Sequence, residues 1–230
     1  MIKLVAFDLD GTIGDTIPVC IKAFKMAVEP YTEHELSEED IIQTFGLNEE
    51  GMIKQIIAND NRTVALHDFY AIYKDIHRLC PHPFPGIKEL IKELKDKSIL
   101  VALITGKGTK SCDITLQQFE MEDFFDKIET GSPEKNRKAE AIKELLACYK
   151  LAPNEMVYVG DALSDITECD KARIKCLSAA WGVSSTTAEL LNERNRESVF
   201  YSIESLRDFL FMHESPKEVN KQVSKLGRES

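Results

Sequence analysis

Short apolar runs alternate along this chain with longer segments in which apolar residues recur at helical spacing. The short runs are typical of buried parallel strands, and the longer segments are typical of amphipathic helices. The short runs predict strands at Ile2–Phe7, Ile99–Ile104, Phe125–Glu129, Met156–Val159 and Ile174–Ala179. Because helical segments separate the later strands, the pattern predicts right-handed βαβ units and a parallel sheet, which is an α/β fold.

Between the first and second predicted strands the periodicity is helical throughout. Helices are predicted near Val19–Val28, Glu38–Phe45, Glu49–Ala58 and Val64–Leu79. The segment Pro81–Gly86 contains three prolines and cannot be helical. We therefore predict that it is the linker that returns the chain to the sheet. We therefore predict a Rossmann-like core at 1–15 and 83–214, an inserted all-helical cap domain at 16–82, and a polar frayed tail at 215–230.

Charge and cysteine content narrow the class of protein. The net charge of -10 argues against a nucleic-acid partner, because phosphate-backbone binders need a concentrated basic face. The six cysteines form no CxxC pair, which favours reduced thiols in the cytoplasm. No leader and no run long enough to cross a bilayer stand out, so we predict a cytoplasmic protein without a membrane partner. The sequence leaves monomer and homodimer open.

Two acids follow the first predicted strand, in the stretch Asp8-Leu9-Asp10-Gly11-Thr12. The carboxyl ends of strands in an open α/β sheet are where ligands bind, and alternate residues can approach a common centre. One carboxylate can act as nucleophile and the other as general acid/base, with Mg²⁺ as the cation that neutralises them. The alternative for an arbitrary pair of this kind is a turn with an Asx cap.

A phosphate would need donors and a cation at the same edge. Thr105 and Gly106 end the second strand and offer a hydroxyl and an accessible backbone N–H, although a simple turn also explains them. Lys138 occupies the first turn of a predicted helix, where the helix dipole disfavours a cation unless an anion is bound. We predict that Lys138 holds the phosphate, with Lys135 as second choice.

The fourth strand is followed by two further acids, Asp161 and Asp165. If a helix begins near Ala162, Asp161 can simply cap its N-terminus. The functional interpretation instead brings Asp161 to the same metal ion as Asp8 and Asp10, with Asp165 supporting the site from behind. Acids at the ends of two different strands favour the metal site.

In this order, the stretches around Asp8, Thr105, Lys138 and Asp161 resemble the four motifs of the haloacid dehalogenase-like hydrolase superfamily, from Ile2 to about Phe211. The resemblance implies an aspartyl-phosphate on Asp8, with phosphate held by Thr105 and Lys138. It also implies a helical cap at the position of the insertion. One departure is that no proline follows either lysine at the third motif.

The resemblance further implies the role of Asp10 and the ligands of a magnesium ion. Asp10 is similar to the acid/base that protonates the leaving group and then activates water. The implied ligands are Asp8, the backbone carbonyl of Asp10, and Asp161. An acid at position 10 favours a phosphatase over a dehalogenase, because an alkoxide leaving group needs a proton and a halide does not.

Within the phosphatases, Thr44–Leu47 and the cap are similar to phosphoglycolate-phosphatase-like members, so we predict a small phosphorylated metabolite as substrate, phosphoglycolate being one candidate. The segment Phe45–Glu49 is predicted to line the pocket. A β-phosphoglucomutase-like phosphomutase would use Asp8 and Asp10 identically. A non-catalytic phosphometabolite- or partner-binding protein is the alternative from another class. The segment Gly106–Ser111 matches a dinucleotide-binding fingerprint only in part.

Overall fold

A parallel sheet forms the centre of the fold. The computed structural model describes residues 1–33 and 35–212. Within these residues the strands are β1 (Leu4–Phe7), β2 (Leu100–Ile104), β3 (Lys127–Glu129), β4 (Met156–Gly160), β5 (Lys175–Ala179) and β6 (Val199–Phe200). They lie in the order β3-β2-β1-β4-β5-β6, and each neighbouring pair is parallel. The ends of β2 and β4 therefore flank the end of β1.

Helices cover the sheet and fill the insertion. In chain order they are α1 (Ile17–Val28), α2 (Glu38–Ile42), α3 (Glu49–Ile56), α4 (Arg62–Ile76), α5 (Ile87–Asp96), α6 (Thr109–Phe119), α7 (Lys138–Tyr149), α8 (Leu163–Ala172), α9 (Ser185–Asn195) and α10 (Ile203–Phe211). None of the helices in the described parts of the chain has the length and apolar character needed to cross a bilayer. The predicted α/β fold with a parallel sheet is confirmed.

Burial on both faces explains why β1 is apolar without alternation. All four residues of β1 are inaccessible to solvent. Val5 and Phe7 pack into one apolar cluster, whereas Leu4 and Ala6 pack into another on the opposite face. A strand covered on both faces has no side toward solvent, so its sequence is a continuous run of apolar residues.

The helices α1 to α4 lie between β1 and α5, as the insertion was predicted to do. Aromatic residues join α1 to α4, with the ring centroids of Phe24 and Phe69 6.2 Å apart and those of Phe69 and Tyr73 5.5 Å apart. One apolar cluster continues from these helices into the core, so the domain limits at 16–82 stay a prediction. The predicted tail at 215–230 lies outside the described residues.

Element limits differ from the predictions mainly at helix ends. The helix predicted to reach Phe45 ends at Ile42, and the one predicted to reach Leu79 ends at Ile76 and continues as a 3₁₀ turn. The two-residue strand β6 was not predicted. It pairs Val199 with Ser178 and Phe200 with Ala179 at the sheet edge. A strand of two residues is too short to show a periodic pattern in the sequence.

Candidate active site

Asp8 directly follows β1 and is buried at the carboxyl edge of the sheet. Its Oδ1 accepts a hydrogen bond from the N–H of Leu9 at 2.8 Å, and its Oδ2 lies 2.7 Å from Lys138 Nζ. Gly11 then turns the chain with a φ of 75°, and a Cβ there would overlap the carboxylate of Asp161. The turn after β1 therefore admits a second carboxylate because residue 11 has no side chain.

Three buried carboxylates meet at this point. One oxygen of each of Asp8, Asp161 and Asp165 lies within 4.8 Å of the others. Burial raises the pKa of Asp8 to about 7, although Lys138 opposes the shift. Burial and the charge of Asp8 raise the pKa of Asp161 well above its usual range. Both shifts reflect an excess of negative charge held away from water, and such a set of oxygen ligands fits a divalent cation.

Lys138 is the first residue of α7 and bridges two of these acids. Its Nζ lies 2.7 Å from Asp8 Oδ2 and 2.6 Å from Asp165 Oδ1. Burial lowers the pKa of Lys138, but Asp165 and Asp8 raise it by more, so the side chain is charged. Lys135, the second choice from the sequence, instead pairs with Glu140 at 2.5 Å on the surface. The structure therefore places Lys138, and not Lys135, against Asp8.

Asp165 both binds Lys138 and caps the first turn of α8. Its Oδ2 accepts a hydrogen bond from the N–H of Ala162 at 3.1 Å, and the Tyr158 hydroxyl lies 3.4 Å from its Oδ1. Asp161, which the alternative interpretation assigned to the helix cap, accepts a hydrogen bond from the Thr12 hydroxyl at 3.1 Å instead. The capping role at this helix belongs to Asp165, and this leaves the Asp161 carboxylate for the acidic cluster.

The side chain of Asp10 is not one of the three clustered carboxylates. Its Oδ1 accepts a hydrogen bond from the Thr16 hydroxyl and lies 3.3 Å from Lys107 Nζ and 3.5 Å from Cys20 Sγ. The ligand atom predicted for Asp10 is its backbone carbonyl. The position of its side chain therefore does not test that prediction. The side chain is held toward α1, beside the pocket that Asp8 also lines.

Lys107 is a buried cation that the sequence analysis did not assign to the site. Its Nζ lies 2.8 Å from Cys20 Sγ and 4.4 Å from the centre of the Tyr73 ring, in addition to its contact with Asp10. Burial lowers the pKa of Lys107, but Asp10 and Cys20 raise it by more. The available signal was its position directly after Thr105-Gly106 at a strand end.

Thr105 and Gly106 lie at the end of β2, as predicted, but contribute differently. Gly106 lines the pocket, whereas Thr105 is buried behind it and its side chain is not part of the lining. The Thr105 Oγ1 accepts a hydrogen bond from the N–H of Lys107 at 3.2 Å.

One pocket joins the strand ends to the helical insertion. The cavity volume is about 170 Å³. The core side includes Asp8, Asp10, Lys138 and Asp161, together with Gly106. The insertion side includes four residues of the segment predicted to line it, namely Phe45, Gly46, Leu47 and Glu49.

Glu49 fastens the insertion to the core beside this pocket. Its buried carboxylate accepts hydrogen bonds from the N–H of Gly108, at 3.1 Å for Oε2, and from the Ser111 hydroxyl. Gly108 is the N-cap of α6, where unpaired backbone N–H groups favour an anion. A second link joins the Asn48 N–H to the Ser132 carbonyl at 3.0 Å. The loop between α2 and α3 is therefore held over the strand ends.

The sequence of this chain matches a known protein family. Residues 5–179 match the family of haloacid dehalogenase-like hydrolases, which is well over half of the chain. The chain belongs to this family. The resemblance read from the motifs is confirmed, and it extends from the first strand through β5.

Several haloacid dehalogenase-like relatives are phosphatases. A phosphoglycolate phosphatase of Vibrio vulnificus (strain CMCP6) is 30% identical over 193 residues, which cover 79% of this chain and 85% of that protein. The pyrophosphatase PpaX of Bacillus cereus (strain B4264) is 26% identical over 183 residues, covering 78% and 84%. A haloacid dehalogenase-like hydrolase of Streptococcus pneumoniae has a TM-score of 0.70 at 25% identity, covering 90% of this chain and 98% of that one. The predicted phosphatase class is confirmed.

Proposed function

We propose that this phosphatase uses Mg²⁺ to hydrolyse a small phosphorylated metabolite through an aspartyl-phosphate on Asp8. The observation that carries the proposal is the meeting of Asp8, Asp161 and Asp165 around Lys138, in one pocket with Asp10. A nucleophile, a cation-binding set, a fixed ammonium and a separate carboxylic acid are the groups that phosphoryl transfer through an enzyme carboxylate requires.

The divalent cation has a defined place in this proposal. Asp8, Asp161 and the backbone carbonyl of Asp10 would hold it, with Asp165 supporting the site through Lys138 and Ala162. When bound, Mg²⁺ supplies charge that offsets repulsion between the phosphate and the acids. Lys138 contributes a further positive charge from the protein itself.

In the first half-reaction, one Asp8 oxygen forms a bond to phosphorus while the bond from phosphorus to the leaving oxygen breaks. Asp10 donates its proton to that leaving oxygen, so the alcohol departs neutral. Lys138, Thr105 and the Gly106 N–H orient the transferring phosphoryl oxygens. The product of this step is a phosphoryl group on Asp8 and an ionised Asp10.

In the second half-reaction, the ionised Asp10 accepts a proton from a water molecule as that water attacks the phosphorus. The bond between Asp8 and phosphorus breaks, and inorganic phosphate leaves. Asp10 then carries the proton needed for the next cycle. The contacts of Asp10 with Thr16 and Lys107 keep it on the pocket side in both steps.

A chelator is expected to abolish turnover by the purified protein, and added Mg²⁺ is expected to restore it. Without the cation, the buried carboxylates of Asp8 and Asp161 face the incoming phosphate, and the ammonium of Lys138 lies against Asp8 alone of these two. The measurement is hydrolysis of phenyl phosphate before and after chelation, with chelator already saturated by Mg²⁺ as control. Turnover unaffected by chelation would contradict the metal assignment, and no turnover at all with Mg²⁺ would favour the non-catalytic binding protein.

Asp10→Asn is expected to slow turnover by roughly 10²- to 10⁴-fold, the usual contribution of a positioned acid/base. The amide keeps the hydrogen-bonding shape but cannot transfer a proton to the leaving group or from water. Rapid-quench measurements should find both formation and decay of the phosphoenzyme slowed. An unchanged decay rate would remove Asp10 from the second step.

A phosphomutase would share the first half-reaction and return the phosphoryl group to a sugar. Incubation with a hexose 1-phosphate or 6-phosphate separates the two activities, since a mutase produces the isomer and a phosphatase produces free phosphate. Phosphoglycolate, the substrate named for the Vibrio vulnificus relative, is one candidate for this chain.

A further inference from the structure

We infer that the pocket accepts an uncharged, largely apolar leaving group, so that alkyl and aryl phosphates fit it better than phosphate esters whose alcohol carries a carboxylate. This inference rests on the proposed phosphatase function and concerns the part of the substrate that lies beyond the phosphate. It gives this chain a substrate preference different from the one named for its phosphoglycolate phosphatase relatives.

Apolar side chains form the insertion face of the pocket. They come from α1, the α2–α3 loop, α3 and α4, and they are Ile17, Phe24, Phe45, Leu47, Met52 and Phe69. Side chains of this kind gain free energy by covering hydrocarbon and lose it when they strip water from a charged group. The leaving group of a substrate bound at Asp8 would face this surface.

The two cations that line the pocket are already paired with acids. Lys138 lies between Asp8 and Asp165 at 2.7 and 2.6 Å, and Lys107 lies 3.3 Å from Asp10. Among the described residues that line the pocket there is no other lysine and no arginine or histidine. A carboxylate on the leaving group would therefore have to draw Lys107 away from its contacts with Asp10, Cys20 and the Tyr73 ring.

Three cations on the segments around the pocket are also paired with acids. Lys54 of α3 lies 2.7 Å from Glu50, and Lys135 lies 2.5 Å from Glu140. Arg137, directly before α7, lies 3.0 Å from Glu129 and 2.8 Å from a second acid. Turning one of them toward the pocket would give up a pair already formed.

The polar group on the insertion side adds negative charge. Glu49 lines the pocket and is held by Gly108 and Ser111, so its carboxylate is fixed there. A substrate carboxylate would meet this acid across an apolar wall, and like charges in such a setting repel strongly. A neutral alcohol carries no such cost.

The test compares two esters of nearly equal size. Isobutyl phosphate has two methyl groups where phosphoglycolate has its two carboxylate oxygens, so the pair differs mainly in charge. With Mg²⁺ present, kcat/KM for isobutyl phosphate is expected to exceed that for phosphoglycolate by at least about tenfold, since the charged group would lie unpaired against apolar surface. Phenyl phosphate, measured in parallel, should be hydrolysed at least as well as isobutyl phosphate.

The outcomes separate this inference from the proposed function. Equal or faster hydrolysis of phosphoglycolate would overturn the inference and leave a magnesium-dependent phosphatase. Failure to hydrolyse any of the three esters would count against the proposed function itself, and the inference would fall with it.

A positive charge placed on the insertion face of the pocket provides a second, independent test of the inference. Phe45 lines the pocket and is 42% exposed, so Phe45→Lys adds a cation there without burying it. The preference for isobutyl phosphate over phosphoglycolate is expected to fall about threefold, the effect of an exposed ion pair. Ile42→Lys, at a 47% exposed position outside the lining, is the matched control and should leave the preference unchanged. Equal shifts in both variants would show a general charge effect and contradict the inference.

Discussion

Asp8→Asn is expected to eliminate phosphate ester hydrolysis, with a loss of roughly 10⁶-fold, the scale observed when a covalent nucleophile is removed. The amide has nearly the same shape as the carboxylate, so the fold and the contact with Leu9 persist. It lacks the charge that makes Asp8 nucleophilic and that pairs with Lys138 at 2.7 Å. The measurement is steady-state hydrolysis of phenyl phosphate with Mg²⁺, together with mass spectrometry of acid-quenched protein. Wild-type protein should carry a phosphoryl group on the peptide that contains Asp8.

The matched control for this variant is Asp15→Asn. Asp15 is an exposed acid in the same turn region, outside the residues that line the pocket. It loses the same charge from the protein, so it should retain wild-type turnover. Retention of even a tenth of the wild-type rate by Asp8→Asn would place the nucleophile elsewhere.

The parts of the site that could be predicted from the sequence are those fixed by strand ends. Asp8, Thr105 and Asp161 each follow an apolar run, and parallel strands bring their carboxyl ends to one edge. Strand order then decides which ends are neighbours, and β1 lies between β2 and β4. Local pattern and general topology together were enough to gather these residues.

The contacts that the sequence could not give depend on how distant segments fold back on one another. The pairing of Lys107 with Asp10 and Cys20 requires α1 to cross the end of β2, which no local periodicity records. The attachment of Glu49 to α6 joins positions 62 residues apart in the chain, counted to Ser111. The role of Asp165 likewise depends on a contact that spacing does not determine, because its carboxylate accepts a hydrogen bond from the Ala162 N–H.

Lys138→Ala is expected to reduce kcat/KM by roughly 10²- to 10³-fold, the usual effect of removing one group that stabilises a developing anion. The ammonium contacts Asp8 at 2.7 Å and Asp165 at 2.6 Å, so its loss leaves two buried carboxylates without their cation. In metal-free buffer the free energy of unfolding should fall by roughly 3–5 kcal/mol, as when one partner of a buried ion pair is removed. Urea unfolding and phenyl phosphate hydrolysis measure the two effects.

Lys135→Ala is the control that makes the first result specific. Lys135 lies three residues before Lys138, outside α7, and pairs with Glu140 at the surface, with 60% of its side chain exposed. Its removal should change neither turnover nor unfolding appreciably, because exposed pairs of this kind contribute about 0–1 kcal/mol. A larger loss of activity in Lys135→Ala than in Lys138→Ala would reverse the assignment of the phosphate-binding lysine. Unfolding measured with Mg²⁺ shows whether the activity lost in Lys138→Ala is a catalytic effect. Added Mg²⁺ should restore part of the free energy of unfolding, because it neutralises the buried carboxylates. It should not restore the activity, because the ammonium that contacts the phosphate is still missing.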